Sequence, residues 1–390
     1  MNGWRQFFKI HLSSLCRHIC NYTLILLLAS ISFSQTNNES LVPSIPQGLQ
    51  YFHQQRSNGP LSIHWVKIDR SQTKFVFISS IAQKKVFGLE PLSRQIQSLN
   101  PKLGKPLVAV NGDFFIIRPG PYQGDPTGLQ IVQGELVSSP RNTCFWVDPN
   151  GQPHIGYVRP DFQATWPDGT NVKFDINQAC AEDKAVLYTP AMGPSTRTEK
   201  AIELILKQSD DSEWLPIKPG QTYNETILSA NQEPNSVIPR DKLVLSLGTA
   251  LAKKIKNTEP GTAISLSFQT RPDLKDVDIA IGGGPVLIKD AKIQKFTGFQ
   301  PRHPRTAIGF NGRSFFLLAV DGRQMDLSIG MTLPELADFM HKLGCTEAMN
   351  LDGGGSTTFW LDGKVMNSPS DGHERYIANG LILVQKKRDN

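Results

Sequence analysis

The sequence predicts an α+β fold: a mixed, largely antiparallel β-sheet core flanked by a few helices, in a single domain. Three observations predict it. Short apolar runs rich in Val, Ile and Phe, such as residues 61–68 and 74–78, outnumber helical patterns. Asn-Gly, Asp-Gly and Pro punctuation separates them at hairpin spacing. No long linker, low-complexity tract or repeat interrupts the chain after residue 44, so one large unit is expected.

The clearest helix begins at Thr332. Thr-Leu-Pro-Glu supplies a hydroxyl cap with Glu335 three residues on, and Leu336, Phe339, Met340 and Leu343 follow at helical spacing before Gly344. Apolar runs at 306–310 and 314–320 flank Asn311-Gly312, a two-residue hairpin signal. Residues 348–351 read as a short buried strand entering a triple glycine, and Asp362-Gly363 reads as the next hairpin turn.

Composition sets outer bounds. The 390 residues are 39% hydrophobic and 19% charged, ordinary values for a globular protein. Residues 1–34 read as a signal peptide, because Arg5, Lys9 and Arg17 precede an apolar run at 22–33 that is too short to span a bilayer. No stable membrane span is expected after its removal. Residues 35–60 read as a polar segment ahead of the main domain at 61–385, and 386–390 as a basic tail. The leader holds three basic and no acidic side chains, so its loss takes the net charge from +6 to +3, which makes no case for nucleic acid. Of five cysteines, Cys144, Cys180 and Cys345 lie outside the leader; a Cys144 to Cys180 disulfide with Cys345 as a buried thiol is the expected arrangement. No CxxC pair or HExxH helix is present, so neither a metal site nor a cofactor is expected.

Three strands share one design, an apolar run ending in a polar residue, glycine and a carboxylate: VAVNGD at 108–113, LLAVDG at 317–322 and AMNLDGGG at 348–355. If their ends converge, Asn111, Asp113, Asp321, Asn350 and Asp352 surround one cleft. Glycine amides beside a carboxylate can form a concave cradle for an anion, so Gly353, Gly354, Ser356 and Thr357 are candidate binding residues. A second glycine turn at 282–284 adds Gly283 and Gly284; it lacks the Walker pattern, and Pro285 argues against a dinucleotide turn. Arg302, His303, Arg305 and Arg375 offer positive charge, of which Arg305 and Arg375 are the candidate partners of two phosphate oxygens.

The motifs together resemble a known family. NGDFF at 111–115, LYTPAMGPSTRT at 187–198, GGGPVLI at 282–288, HPRTAIGF at 303–310, LAVDGR at 318–323, GMTLPELADFM at 330–340, NLDGGGSTTFW at 350–360 and NSPSDGHERYIANG at 367–380 are similar to the phosphodiester glycosidases. The resemblance runs in order from about residue 61 to 384. It implies an enzyme that cuts the bond between a sugar's anomeric carbon and a bridging phosphate, with an N-acetylglucosamine-like sugar and a glycan or sugar-phosphodiester partner. In such a reaction the ring gains positive charge while the phosphate leaves as a weak base. Asp352 is therefore the expected nucleophile or base for water, with Asp321 and Asp113 as positioning or second acids. Two rival readings are a metal-dependent phosphodiesterase cutting P–O, and a secreted glycan-binding module stacking sugars on Trp65, Trp146, Trp166 or Trp360.

Overall fold

A computed structural model of the chain describes residues 45–209 and 214–386. The expected signal peptide, most of the polar segment before residue 49 and all but the first residue of the basic tail lie outside them.

The described residues form 24 strands and three short α-helices, so the architecture is more β-rich than the α+β expectation. A seven-stranded sheet runs in the order Leu49–Arg56, Leu61–Asp69, Ser314–Val320, Arg305–Phe310, Glu347–Asn350, Val286–Lys289, Lys292–Ile293. One five-stranded sheet places Lys105–Asn111 between Phe359–Leu361 and Asn379–Gln385, and a second centres on Ile279–Gly283. The strands between Arg159 and Arg271 close into a seven-stranded barrel, which the sequence reading did not foresee. All pairings are antiparallel except that of Asn171–Ile176 with Ala185–Tyr188.

Local signals translate directly into these elements. Arg305–Phe310 pairs with Ser314–Val320 across the Asn311 turn, whose side-chain Oδ1 accepts the amides of Arg313 and Ser314. The helix Leu333–Lys342 starts on the expected capping box, with Thr332 and Glu335 exchanging hydrogen bonds. Its Leu336, Ala337 and Met340 are buried against the seven-stranded sheet. The strand Leu49–Arg56 falls within the stretch expected to be a polar lead-in; it pairs with Leu61–Asp69 along its whole length.

Between the sheets, Val108, Val110, Ile281, Ile308, Leu317, Met349, Phe359 and Leu381 share one apolar cluster, and each fully buried side chain of this kind contributes about 1.5–3 kcal/mol. Because these residues sit just behind the polar strand ends, the packing of the core fixes where Asn111, Asn350 and Asp321 emerge. Trp146, Trp166 and Trp360 are buried in the apolar clusters, so three of the four tryptophans offered for sugar stacking are core residues.

The expected Cys144 to Cys180 disulfide is absent. All three described cysteines are free thiols. Cys144 lies inside the sheet and faces the Gly156 carbonyl, whereas Cys180 faces carbonyls of Lys184 and Ser246. Burial pushes the Cys180 thiol up to about 11 and Cys345 up to about 12, which makes both poor nucleophiles. A reducing agent should therefore leave the thermal midpoint of the purified protein unchanged; a fall of several degrees would reveal a bridge after all. Among the described residues no helix is long and apolar enough to cross a membrane.

Candidate active site

Two of the three acidic strand ends meet. Asn111 closes the strand Lys105–Asn111 and ties it to its neighbours: its Nδ2 donates to the Asp352 carbonyl at 2.6 Å, while its Oδ1 accepts from the Thr306 hydroxyl at 2.7 Å and the Thr358 amide at 3.1 Å. The Asp352 amide in turn donates to the Gly112 carbonyl at 2.9 Å. These bonds lay NGD beside LDGGG, near enough for Asp352 to raise the pKa of Asp113 through its charge. Asn111 is thus a staple of the site, with every polar atom of its side chain spent inside the protein.

Asp113 is buried at 2% exposure. Its Oδ1 accepts the Phe114 amide at 2.8 Å and its Oδ2 the Gly128 amide at 2.7 Å, while its own amide donates to Asn379 Oδ1 at 2.7 Å. Desolvation outweighs those bonds and lifts its pKa to about 7. Asp125, also buried and carrying an Oδ1 without a hydrogen-bond partner, is lifted by burial to about 7 as well. Both groups hold protons in the folded chain that the unfolded chain releases near pH 4, so their contribution to stability falls as pH rises from about 4 to 7. Asp125→Asn should remove part of that loss. Urea midpoints at pH 5 and pH 8 test it: the drop between them shrinks in the variant, and an unchanged drop would mean that Asp125 ionises normally.

Asp352 differs from Asp113 in being partly exposed. Its Oδ1 accepts the Gly353 amide at 2.8 Å. Burial raises its pKa, opposed by Ser356, by that amide and by the charges of Arg375 and Arg323. Ser356 Oγ makes no hydrogen bond of ordinary geometry, yet it lies near enough to the carboxylate to stabilise its charge. The two arginines lie over the glycine turn. A Cβ on Gly354 would come within 2.9 Å of an Arg323 guanidinium nitrogen, and one on Gly355 would overlap the guanidinium of Arg375. The turn carries glycine because any larger residue would displace these cations. Arg375 is shared with Asp371 at 2.8 Å, whereas Arg323 makes no salt bridge among the described residues. Arg323 also adopts φ +60°, a left-handed conformation costly for a side chain of its size. Beside it, 3.5 Å away, stands His303, whose pKa is lowered by burial and by the charges of Arg323 and Arg305.

Asp321 does not join this exposed edge. It is buried at 1% exposure and its carboxylate is fully engaged: Oδ2 accepts from Ser62 Oγ at 2.8 Å and lies 3.4 Å from His64 Nε2, while Oδ1 accepts from the Ser368 amide at 2.8 Å and Asn367 Nδ2 at 3.2 Å. Asn367 Nδ2 also reaches the Thr357 carbonyl at 3.1 Å. Asp321 therefore fastens the segment leading to Arg375 onto the strand ends.

The remaining candidates divide in the same way. Asn350 turns Nδ2 to the Gly284 and Leu351 carbonyls and leaves Oδ1 buried without a partner. Gly283 and Gly284 serve packing: a Cβ on Gly283 would strike the Asn350 carbonyl at 2.8 Å, and the Gly284 amide is spent on that same carbonyl. The amides of Gly353 and Gly354 are spent on the Asp352 carboxylate and on the Pro304 carbonyl, so neither is free to cradle an anion. Thr357 is buried beside Thr306. Arg305 donates Nε to the Met331 carbonyl and a terminal nitrogen to that of Pro301, both at 2.9 Å, which makes it a clasp on the loop. Arg323 was missed by the sequence reading, although it follows the VDG strand end directly. Asp125 was missed because Gly-Asp-Pro reads as an ordinary turn. A cleft of about 450 Å³ lies elsewhere, between the helix Leu333–Lys342 and the hairpin that includes Trp65. Among the described residues no three His, Cys, Asp or Glu side chains are grouped so as to hold a metal ion.

Comparison with known proteins agrees with the motif reading. The phosphodiester glycosidase family profile matches residues 221–384. A 68-residue stretch is 44% identical to the N-acetylglucosamine-1-phosphodiester alpha-N-acetylglucosaminidase of Bos taurus, covering 17% of this chain and 12% of that protein. Another, of 103 residues, is 34% identical to the SPbeta prophage-derived uncharacterized protein YomE of Bacillus subtilis strain 168, covering 25% of this chain and 16% of that one. The chain thus spans less than a fifth of the length of these curated relatives. The crystal structure of a hypothetical protein from Synechocystis shares the fold, with a TM-score of 0.69 at 21% identity over 86% of this chain and 62% of that one. The part of the chain that matches the phosphodiester glycosidase family profile, residues 221–384, holds Asp321, Arg323, Asp352 and Arg375.

Proposed function

We propose that this protein hydrolyses a glycosyl phosphodiester at the C1–O bond, releasing an N-acetylglucosamine-like sugar from a phosphorylated acceptor. The observation that carries this reading is Asp352, a partly exposed carboxylate under two guanidiniums. As C1–O lengthens, positive charge grows on the ring and negative charge on the departing phosphate. Asp352 meets the first, as nucleophile or as base for water. Arg323 and Arg375 meet the second, and the guanidinium fork matches two phosphate oxygens. Water supplies hydroxyl to C1, and its proton leaves through the carboxylate. The departing phosphomonoester is a good leaving group without protonation, so Asp113, enclosed by backbone amides, serves by position: it keeps the strand end in place. Asp321 likewise acts through what it holds. Residues 1–34, as a signal peptide, place the reaction outside the cytoplasm.

The test is incubation of the purified protein with a panel of sugar-1-phosphodiesters differing in sugar. Free sugar and a phosphomonoester as products support the reading; binding of the panel without turnover by wild type, and unaltered by Asp352→Asn, would favour the glycan-binding alternative instead.

A further inference from the structure

We infer that the group attached to the far side of the phosphate is hydrocarbon-rich, so that the substrate is an amphiphilic glycosyl phosphodiester. The inference rests on the proposed function for the sugar-phosphate half and adds the chemistry of the other half. Of the ten large apolar side chains left exposed among the described residues, five lie on the loops next to Asp113, His303, Arg323 and Arg375. Met325, 77% exposed, lies two residues beyond Arg323, and Tyr376, 59% exposed, directly follows Arg375. Phe299, 89% exposed, precedes His303 by four residues, and Ile116 and Ile117 follow Asp113 by three and four.

These loops adjoin one another. His303 touches Arg323 at 3.5 Å, Gln324 donates to the Ser368 carbonyl at 2.8 Å, and Phe115 shares an apolar cluster with Ile377. The guanidiniums of Arg323 and Arg375 flank the same glycine turn. A cationic centre with apolar side chains on the surrounding loops matches a phosphate that carries a hydrocarbon tail. Ile116, Ile117 and Met325 give a sugar chain neither a ring to stack on nor a hydrogen-bonding group, and the rings of Phe299 and Tyr376 add apolar area beside them.

The test uses two simple probes, monomethyl phosphate and monododecyl phosphate below its micelle concentration, titrated calorimetrically into wild type and into the double variant Phe299→Ser, Met325→Ser. The expected result is at least about tenfold tighter binding of the dodecyl ester, the equivalent of burying two methylenes. In the double variant that advantage disappears while methyl phosphate binds as before. Equal binding of the two esters, binding of neither, or an advantage that survives in the variant would overturn the inference. Turnover of a methyl sugar-1-phosphodiester is measured beside it: activity there without any chain-length effect removes only the amphiphile inference, whereas a chain-length effect without activity removes the glycosidase reading.

Discussion

Asp352→Asn is expected to lower turnover of a sugar-1-phosphodiester by about 10²–10⁴-fold, the range lost with a positioned acid or base, while leaving the fold intact. The structure separates this effect from a structural one. The Asp352 carboxylate is held against its solvation preference, since burial raises its pKa despite the nearby arginines. Asparagine keeps an Oδ1 to accept the Gly353 amide and removes the desolvated charge. The thermal midpoint should therefore stay level or rise. A variant that is both inactive and several degrees less stable would mean that Asp352 supports the turn and not the chemistry, and wild-type turnover would discard the assignment altogether.

Arg323→Gln is the second large effect. Removing a fixed donor aimed at developing charge costs about 10²–10³-fold in kcat, and here the charge lies on the departing phosphate. Glutamine preserves length without the cation. Arg375→Gln should cost less, because part of its charge already answers Asp371. The distinguishing control is an aryl glycoside of the same sugar, whose leaving group bears no phosphate: its slower hydrolysis should be indifferent to Arg323→Gln. Equal losses on both substrates would show that Arg323 shapes the turn and makes no contact with phosphate. Lysine at 323 should rescue only in part, since a point charge cannot reproduce the bidentate fork.

Much of this arrangement was legible in the sequence because its determinants are local. The Asn311 hairpin, the Thr332 capping box and the polar strand ends at Asn111 and Asn350 depend on neighbours a few residues away. The barrel was not legible, because closure depends on pairings between remote strands such as Arg159–Thr165 with Ala263–Arg271, which no turn signal encodes. The surroundings of the glycine turns were hidden for the same reason. Sequence shows that glycine permits close approach; only the fold shows that what approaches Gly354 and Gly355 is an arginine. That Arg305 is held by the carbonyls of Met331 and Pro301 was equally out of reach of the sequence, since Met331 lies 26 residues away in the chain. Asp321 stood in the right motif, and its partners Ser62 and His64 come from a strand some 260 residues earlier in the chain.

The most direct test of the central claim is hydrolysis of a sugar-1-phosphodiester in oxygen-18 water with mass analysis of both products. The account predicts the label on the sugar's C1 hydroxyl and none on the phosphate. Label on phosphorus would place the cut at P–O and contradict it.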